Sequence, residues 1–375
     1  MNKKFYIYGY YGFNNFGDDL LLRALVENII TYRESEFWVR SFNKGPNLGN
    51  NVIYTEIDKI ICDTSKNKIY RLSKYLKESF SYIKKVDCVI IGGGTLIHDN
   101  SSRWSIIIIL IIVIFSKWLS KEVVFIGIGI ADLKHNSSYF VLKWMTKLSS
   151  AFYIRDFEAE KILRKAKVGE EDFQVTADLA YTLTTLEKQP NTVTNNVGIN
   201  VGITIVDSAT DNNGIIKVIT EYIALLNDVY SNVNVYLIPF HQMNTDYKYN
   251  VNDSKVIRAL KQKIQLKNVV IEEQIEKNFN CIYANLDIVV GMRFHSLVLA
   301  AIYEIPFIGI AHDNKIIGIC KSYDMPFVDM ENITPGILIE MSKIVLNKKF
   351  PVNINVEMRA KALKNFEFFT YAKQE

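Results

Sequence analysis

The chain has 375 residues, of which 49% are apolar and 22% are charged, and this composition excludes a disordered or fibrous protein. Its 44 basic and 40 acidic residues leave a net charge of +4 that is too small to indicate a nucleic-acid-binding protein. The length exceeds that of one ordinary domain and predicts two.

Alternating strands and helices fill the first half of the chain. The predicted strands are FYIYGYYG, FWVRSF, DCVIIGGG, EVVFIGIGI, AFYIRD and DFQVTAD. Helical patterns such as DDLLLRALVENIITY and YFVLKWMTKLSS lie between them. Apolar strands that alternate with helices are typical of a parallel sheet covered on both faces.

Two segments of this half resemble membrane or export signals only superficially. The N-terminal MNKKFYIYGYYG has no cleavage site of small residues and predicts a first strand rather than a signal peptide. The apolar run IIIILIIVIF, residues 106–115, is shorter than the ~18 residues that span a bilayer. It therefore predicts a buried helix or strand, and no transmembrane segment.

A polar stretch without periodicity, residues 184–196, contains Pro190 and predicts a linker. After it the alternation resumes with the strands VGINVGIT, VNVYLIPF, NVVIE, DIVVG and PFIGIA, each followed or preceded by a helical pattern. We therefore predict an α/β protein with two doubly wound, Rossmann-like domains facing a cleft. The first covers residues 1–183 and the second residues 197–375.

The four cysteines form no CxxC pair and have no histidine at zinc spacing. They predict reduced thiols of a cytoplasmic protein. No cluster with the spacing of metal ligands appears in the sequence, so we predict no metal.

Glycine and polar residues mark two strand ends of the first domain. In GYYGFNNFGDDLLL, either Asp18 or Asp19 caps the next helix or contacts a substrate. In IIGGGTLIHD, glycines at 93 and 94 would let backbone amides approach a phosphate or sugar, or would form a tight strand-to-helix turn without a ligand. Ile97 stands where a dinucleotide-binding fingerprint needs its third glycine.

The most unusual segment is VVGMRFHSLVLAAI in the second half. Arg293 and His295 lie where an apolar strand ends and an apolar helix begins, near residues 294–296. A helix N-terminus favours an anion, arginine offers two parallel donors to a carboxylate or phosphate, and histidine can transfer a proton near neutral pH. Arg155 closes a strand in the first half, where it either pairs with Asp156 or reaches the cleft.

The ordered set NFGDD, GGGTLIHD, GIGI, IRDFEA, VTADLA and MRFHSLVLAAIYEIPFIGIAHDNK resembles the polysaccharide pyruvyl transferase family over about residues 8–325. The resemblance implies a GT-B-like fold. It also implies transfer of the pyruvyl group of phosphoenolpyruvate to two hydroxyls of a sugar, which forms a cyclic ketal and releases phosphate.

The resemblance further assigns roles to individual residues. His295 matches the catalytic histidine, and it is our candidate general acid. Arg155, Arg293 and the backbone of Phe294 match donor contacts. Candidate acceptor contacts or bases are Asn15, Asp18, Gly93, Gly94, Asp178 and His241.

The implied partners are phosphoenolpyruvate and a saccharide acceptor, with no cofactor. A lipid-linked acceptor would place the protein peripherally at the inner face of the membrane. Two alternatives stay open at this point: a GT-B glycosyltransferase that uses a nucleotide sugar, and a non-catalytic sugar- or anion-binding protein of polysaccharide assembly.

Overall fold

The computed structural model describes residues 2–99, 102–183, 198–207, 212–230, 232–242 and 252–371. The predicted linker, 184–196, lies outside the described residues. The chain divides into two compact units. The first comprises Met1–Phe13, Asp18–Leu183 and Glu357–Glu375, and the second comprises Asn14–Gly17 and Thr184–Val356.

The first unit contains a parallel sheet of seven strands in the order β3-β2-β1-β4-β5-β6-β7. The strands are β1 (Lys3–Tyr11), β2 (Ser35–Ser41), β3 (Val52–Tyr54), β4 (Cys88–Ile97), β5 (Glu122–Ile130), β6 (Ala151–Ile154) and β7 (Gln174–Val175). The helices of this half are α1 (Phe16–Tyr32), α2 (Asp58–Cys62), α3 (Lys68–Ile83), α4 (Trp104–Trp118), α5 (Asn136–Leu148) and α6 (Phe157–Lys165). The strand order reverses between β1 and β4, which is the switch point of a doubly wound sheet.

The second unit repeats this topology with six parallel strands in the order β10-β9-β8-β11-β12-β13. They are β8 (Ile199–Thr204), β9 (Val233–Leu237), β10 (Val269–Ile271), β11 (Ile288–Gly291), β12 (Phe307–Ala311) and β13 (Phe327–Asp329). The helices are α7 (Asn212–Val229), α8 (Asp253–Lys263), α9 (Ile275–Ala284), α10 (Phe294–Ile302), α11 (Asn314–Ser322) and α12 (Pro335–Leu346). Its switch point lies between β8 and β11, and the predicted class, α/β with two Rossmann-like parallel sheets, is confirmed.

Central strands are buried on both faces, which explains their nearly continuous apolar sequences. In β4 and β5, Val89, Ile90, Val123 and Val124 are all fully buried. Ile90 of β4 pairs with Ile7 of β1 on one side and with Val124 of β5 on the other. Helices cover both faces of such a sheet, so neither face has to be polar.

At two places near the switch point of the first sheet, one of the two alternatives that the sequence offered is wrong. Strand β4 continues to Ile97, so the glycines at 92–94 lie within the strand and do not form a strand-to-helix turn. Helix α1 begins at Phe16, and the side chain of Asn15 accepts a hydrogen bond from Gly17 N at 3.2 Å. Asn15 is therefore the capping residue, while Asp18 and Asp19 lie in the first turn, where the helix dipole favours negative charge.

The C-terminal end of the chain groups with the first unit, although the sequence indicated that the second domain extends to residue 375. From Glu357 onwards it contains most of α13 (Val352–Leu363) and all of α14 (Glu367–Tyr371). Buried Asn365 explains the attachment. Its Oδ1 accepts hydrogen bonds from Gly127 N and Thr176 Oγ1, and its Nδ2 donates to Ala177 O and Ala362 O, at 2.8–3.0 Å.

The apolar run at 106–115 lies in α4, so the helical alternative is the correct one. Over the described ranges, no helix is both long enough and apolar enough to cross a bilayer.

Candidate functional site

The switch point of the second sheet carries the segment that the sequence singled out. Strand β11 ends at Gly291, which pairs with Thr204 at the end of β8. A side chain at 291 would not fit, because a Cβ there would lie 2.6 Å from Ser296 Oγ and 3.0 Å from Thr204 Oγ1. The close approach lets α10 begin at Phe294, as predicted, directly after Arg293. Ligands of open α/β sheets bind at this kind of edge.

Arg293 is held by a carboxylate that sequence reasoning missed. Its Nε donates to Asp253 Oδ2 at 2.9 Å and its Nη2 donates to Asp253 Oδ1 at 2.6 Å. Asp253 is fully buried, whereas the Arg293 side chain keeps 20% of its exposure. Such a two-pronged pair fixes the plane of the guanidinium group.

Asp253 also binds the backbone around it. Its Oδ1 accepts from Asp207 N at 3.1 Å, and its Oδ2 accepts from His241 N at 3.0 Å. With the two bonds from Arg293, this buried carboxylate accepts four hydrogen bonds, so its charge is well compensated. In the sequence, Asp253 follows Asn252 at a predicted helix start and could have been read only as a capping residue.

The first helical turn of α10 places His295 beside the backbone of another segment of this unit. A Cβ on Gly17 would lie 2.2 Å from His295 Nδ1, so only glycine leaves room for the imidazole in this position. The segment Asn14–Gly17 is tied down by backbone hydrogen bonds: Phe16 N donates to Phe240 O at 2.8 Å, and Gln242 N donates to Asn14 O at 3.0 Å. The segment Asn14–Gly17 thus contributes to the surroundings of His295.

Two further predicted residues, Asn15 and His241, form an antiparallel bridge with each other. His241 is buried, and its backbone N–H serves Asp253. The fold therefore brings Asn15, His241, Arg293 and His295 into one unit, through a loop after β9 and the start of α1.

A second histidine at this sheet edge was missed. His312 directly follows β12, which pairs with β11, and its Nε2 lies 3.8 Å from Asp313 Oδ2. Burial lowers the pKa of His312, Asp313 opposes this effect, and the positive charge of Arg293 lowers the pKa further. The net pKa lies below the ordinary histidine value, which favours the neutral form of His312. Its position directly after an apolar strand was the available signal.

Arg155 of the first unit follows β6 directly and is enclosed by oxygen atoms. Its Nη1 donates to Asp178 Oδ2 at 2.9 Å, its Nη2 to Thr95 Oγ1 at 3.0 Å, and its Nε to Asp156 Oδ2 at 3.3 Å. Burial alone would lower the pKa of Arg155, but Asp178 and Asp156 outweigh it, and the pKa is raised. The arginine is a permanently charged member of a buried network.

Both carboxylate oxygens of Asp178 take part in this network. Its Oδ1 accepts from Ala180 N at 3.0 Å while its Oδ2 accepts from Arg155. Asp156 also caps α6 through a 2.8 Å bond from Ala159 N. The pairing of Arg155 with Asp156, which the sequence offered as one alternative, is present in the structure together with the unforeseen bond to Asp178.

The glycines of β4 pack against helix α1. Gly93 and Gly94 have φ values of +72° and +84°, a region that other residues rarely adopt. A Cβ at 93 would meet Leu21 at 2.9 Å, and one at 94 would meet Asp18 Oδ1 at 2.8 Å. Close packing accounts for both glycines, and it brings Asp18, half-buried, to the carboxyl edge of the first sheet. Their contact with an acceptor remains a prediction.

The two units thus offer different chemistry. The second presents an Arg293–Asp253 pair, a helix start and three histidines, His241, His295 and His312, and the first presents one arginine bonded to two carboxylates. Within the ranges that the structure describes, no group of three or more His, Cys, Asp or Glu side chains could hold a metal ion.

Solved structures with the same fold include enzymes that act on nucleotide sugars. The chain is similar to a putative UDP-N-acetylglucosamine 2-epimerase from Listeria monocytogenes, with 10% identity, TM-score 0.66 and coverage of 100% of this chain and 96% of that one. It is also similar to UDP-GlcNAc 2-epimerase from Methanocaldococcus jannaschii, with 14% identity, TM-score 0.62 and coverage of 99% and 100%. A lipopolysaccharide outer core galactosyltransferase shows 12% identity, TM-score 0.51 and coverage of 99% of both chains. At these identities the likeness establishes the GT-B-like fold alone.

A search of curated proteins finds no match to the sequence. The model of one protein family matches residues 15–314, which include Asn15, Arg155, Asp178, Arg293 and His295. This range covers most of the chain and ends with the segment MRFHSLVLAAIYEIPFIGIAHDN. The chain belongs to the polysaccharide pyruvyl transferase family.

Proposed function

We propose that this protein transfers the pyruvyl group of phosphoenolpyruvate to two hydroxyls of a sugar in a polysaccharide or its precursor, which forms a cyclic ketal and releases phosphate. One observation carries the proposal. At the switch point of the second sheet, a guanidinium fixed by a buried carboxylate lies two residues from His295, at the start of α10.

The fixed arginine supports an anionic donor. Asp253 takes the Nε–Nη2 edge of Arg293, so the remaining donors of the guanidinium, including both N–H groups of Nη1, point away from that carboxylate. The N-terminus of α10 adds a positive dipole end at Phe294. A carboxylate or phosphate of phosphoenolpyruvate would meet a preformed cationic group there, without the cost of ordering a free side chain.

The proposed chemistry needs one acid and a route for two hydroxyl protons. His295 donates a proton to C3 of the enol, which makes C2 electrophilic, and the first sugar hydroxyl forms a C–O bond to C2. The C2–O bond to phosphate then breaks, and the second hydroxyl closes the ring at C2. One hydroxyl proton restores His295, and the other leaves with phosphate.

The base for the hydroxyls remains among the candidates Asp18, Asp178 and His241. Asp178 and His241 are buried, and Asp178 already accepts bonds from Arg155 and Ala180. Asp18 is half-buried, which favours it as the group that a sugar could reach. We also propose that Arg155 contacts the donor. To do so, it would have to exchange some of its present bonds to Asp178, Thr95 and Asp156 for bonds to the ligand.

We further propose a cytoplasmic location with a saccharide acceptor, which a lipid anchor would hold at the inner face of the membrane. Burial raises the pKa of the Cys88 and Cys320 thiols to about 12, so neither forms a reactive thiolate at neutral pH. The four cysteines, all within the described ranges, form no disulfide, which suits a reducing compartment.

The test is phosphate release from phosphoenolpyruvate by the purified protein, with and without a panel of β-galactosides and N-acetylmannosaminides. Release that requires an acceptor and falls 10²–10⁴-fold in His295→Ala, as loss of a general acid predicts, would support the proposal. His135→Ala is the matched control, because His135 lies in the first unit and bonds to Asp99.

Arg293→Ala should instead raise the KM for phosphoenolpyruvate. Acceptor-dependent release that survives unchanged in both Arg293→Ala and His295→Ala would reject the assignment of this site. No release, with thermal stabilisation by a nucleotide sugar and none by phosphoenolpyruvate, would point to a glycosyltransferase.

A further inference from the structure

Helix α4 has an apolar outer side as well as an apolar inner side. Its inner positions, among them Ile109 and Val113, are buried in the core of the first unit. Its outer positions are Trp104, Ile107, Ile111, Ile114 and Trp118, spaced by three or four residues on one face. Ile107 and Ile111 are partly buried, and Ile107 also packs against the core. Surface helices usually present polar residues to water.

Three of these five side chains are exposed to solvent. Trp104 is 47% exposed, Ile114 50% and Trp118 75%. A contiguous apolar surface on a folded protein marks a contact with a partner or a membrane. The reaction proposed above makes no use of it.

A groove continues the apolar face from α4 onto α3. It has a volume of about 870 Å³. Phe80 of α3 and Phe115 of α4 stack beneath it with their ring centroids 3.7 Å apart. Ile69, at the start of α3, is 78% exposed. The groove is lined by Ile69, Leu72, Ser73, Leu76, Lys77, Phe80, Ser81, Lys84, Lys85 and Phe115. We call this groove together with the outer positions of α4 the α3–α4 face.

The rim of the α3–α4 face is basic. Lys77, Lys84 and Lys85 line the groove, and Lys68 lies over the ring of Trp104 at 5.5 Å. Glu78 is the one acidic residue in the sequences of α3, α4 and α5, whereas these three helices carry seven lysines and arginines. A protein surface with an apolar centre and a cationic border is complementary to a ligand surface that has an apolar interior and anionic groups at its boundary.

We propose that the α3–α4 face binds the surface of a bilayer that contains anionic phospholipids. Tryptophans at both ends of α4 are typical of residues at the level of the headgroups, and the isoleucines between them would enter the outer acyl region. The 15 residues of α4 extend about 22 Å, against a hydrocarbon core of ~30 Å, so the helix would lie along the membrane surface.

A second copy of the chain is a less suitable occupant. A two-fold interface places the same patch on both sides, so Lys77, Lys84 and Lys85 would approach their own equivalents. Like charges that meet at an interface are unfavourable, and within α3, α4 and α5 Glu78 is the one acidic residue that could compensate them. Anionic headgroups neutralise the same lysines. The inference rests on the first unit alone and holds whichever reaction the protein catalyses.

The test uses flotation of the full-length protein with vesicles of phosphatidylcholine, either pure or mixed with phosphatidylglycerol. We expect the wild type to bind the mixed vesicles, to bind pure phosphatidylcholine far less, and to be released by added salt. Changing Lys77, Lys84 and Lys85 together to Gln should weaken the partition coefficient by about 100-fold at low salt. Ile114→Ser with Trp118→Ser should weaken it by at least about 10-fold.

Matched variants on the second unit serve as controls. Lys255, Lys261 and Lys263 of α8, changed together to Gln, remove the same charge from another exposed helix. Ile344→Ser removes an isoleucine that is 61% exposed on α12. Both controls should bind vesicles like the wild type, and circular dichroism should show that every variant is folded.

Three results would overturn the proposal. One is equal binding of the wild type to both kinds of vesicle, and another is unchanged binding of the Lys77/Lys84/Lys85 and Ile114/Trp118 variants. The third is a wild type that stays free of vesicles and sediments as a dimer which the Ile114/Trp118 variant dissociates. That outcome would assign the α3–α4 face to a second copy of the chain.

Discussion

Asp253→Asn tests whether the Arg293–Asp253 pair is essential to the second unit. The substitution keeps the volume of the side chain and removes its charge, so Arg293 loses its ionic partner. Removal of one member of a buried pair costs about 3–5 kcal/mol, and partial exposure of Arg293 lets water recover some of it. We expect a loss of about 2–4 kcal/mol in the free energy of unfolding. The Tm of the second unit should fall by roughly 5–15 °C.

The chain offers a matched control in the same unit. Arg258, also on α8, bonds to Glu273 through Nη2 at 2.6 Å and Nε at 3.1 Å, but the two side chains are 62% and 48% exposed. Since exposed pairs contribute about 0.2–1 kcal/mol, Glu273→Gln should lower the Tm only slightly. Both pairs have two hydrogen bonds of similar length, so the difference between their Tm changes in calorimetry measures the effect of burial.

Activity gives a second measurement for the same variant. With its guanidinium no longer fixed, Arg293 should bind the donor less well, and the KM for phosphoenolpyruvate should rise on the order of 10–100-fold in Asp253→Asn. A double-mutant cycle with Arg293→Met should give a coupling energy of about 1–3 kcal/mol. An unchanged Tm together with a coupling energy near zero would refute the idea that the Arg293–Asp253 pair stabilises the second unit. Solvent would then replace the pair without a loss of stability.

Three further predictions follow from single contacts. Gly17→Ala should lower kcat on the order of 10–100-fold without unfolding the protein, since the new Cβ must displace His295. The control Gly336→Ala should leave kcat unchanged, because a Cβ there meets nothing within 4 Å. Equal kcat values for the two variants would contradict the catalytic role of His295. Asn365→Ala should cost roughly 2–4 kcal/mol in denaturant unfolding, because Gly127 N, Ala177 O and Ala362 O each lose a buried hydrogen bond, whereas Thr176 Oγ1 keeps its bond to Ile154 O. A loss below the measurement error would argue against the attachment of the C-terminal segment. Burial raises the pKa of Asp99, but hydrogen bonds from two backbone N–H groups and a serine hydroxyl outweigh it and hold the pKa well below the ordinary value. The stability lost in Asp99→Asn should therefore be largest at neutral pH and shrink below about pH 4, and a difference independent of pH in acid titrations would exclude this role.

The sequence alone determined the elements that depend on local patterns. Apolar runs bounded by glycine and polar residues predicted the main strands, and their alternation with helices predicted two parallel sheets. The junction between β11 and α10 was also predictable, because Arg293 and His295 interrupt an apolar sequence where a helix starts. The period of side-chain burial along a strand or helix is a local property, so it can be read from neighbouring residues.

Only the tertiary structure decided which residues complete the site. Asp253 lies 40 positions from Arg293, and no local pattern links the two. A side chain at Gly17 would collide with the imidazole of His295, which is distant in the sequence, and the glycines of β4 reflect close packing against α1. The apolar sequence of α4 predicted a buried helix or strand, but several of its outer side chains are exposed. Their exposure depends on which other elements pack over the helix. Contacts of this kind arise when the chain folds back on itself, so spacing in the sequence does not encode them.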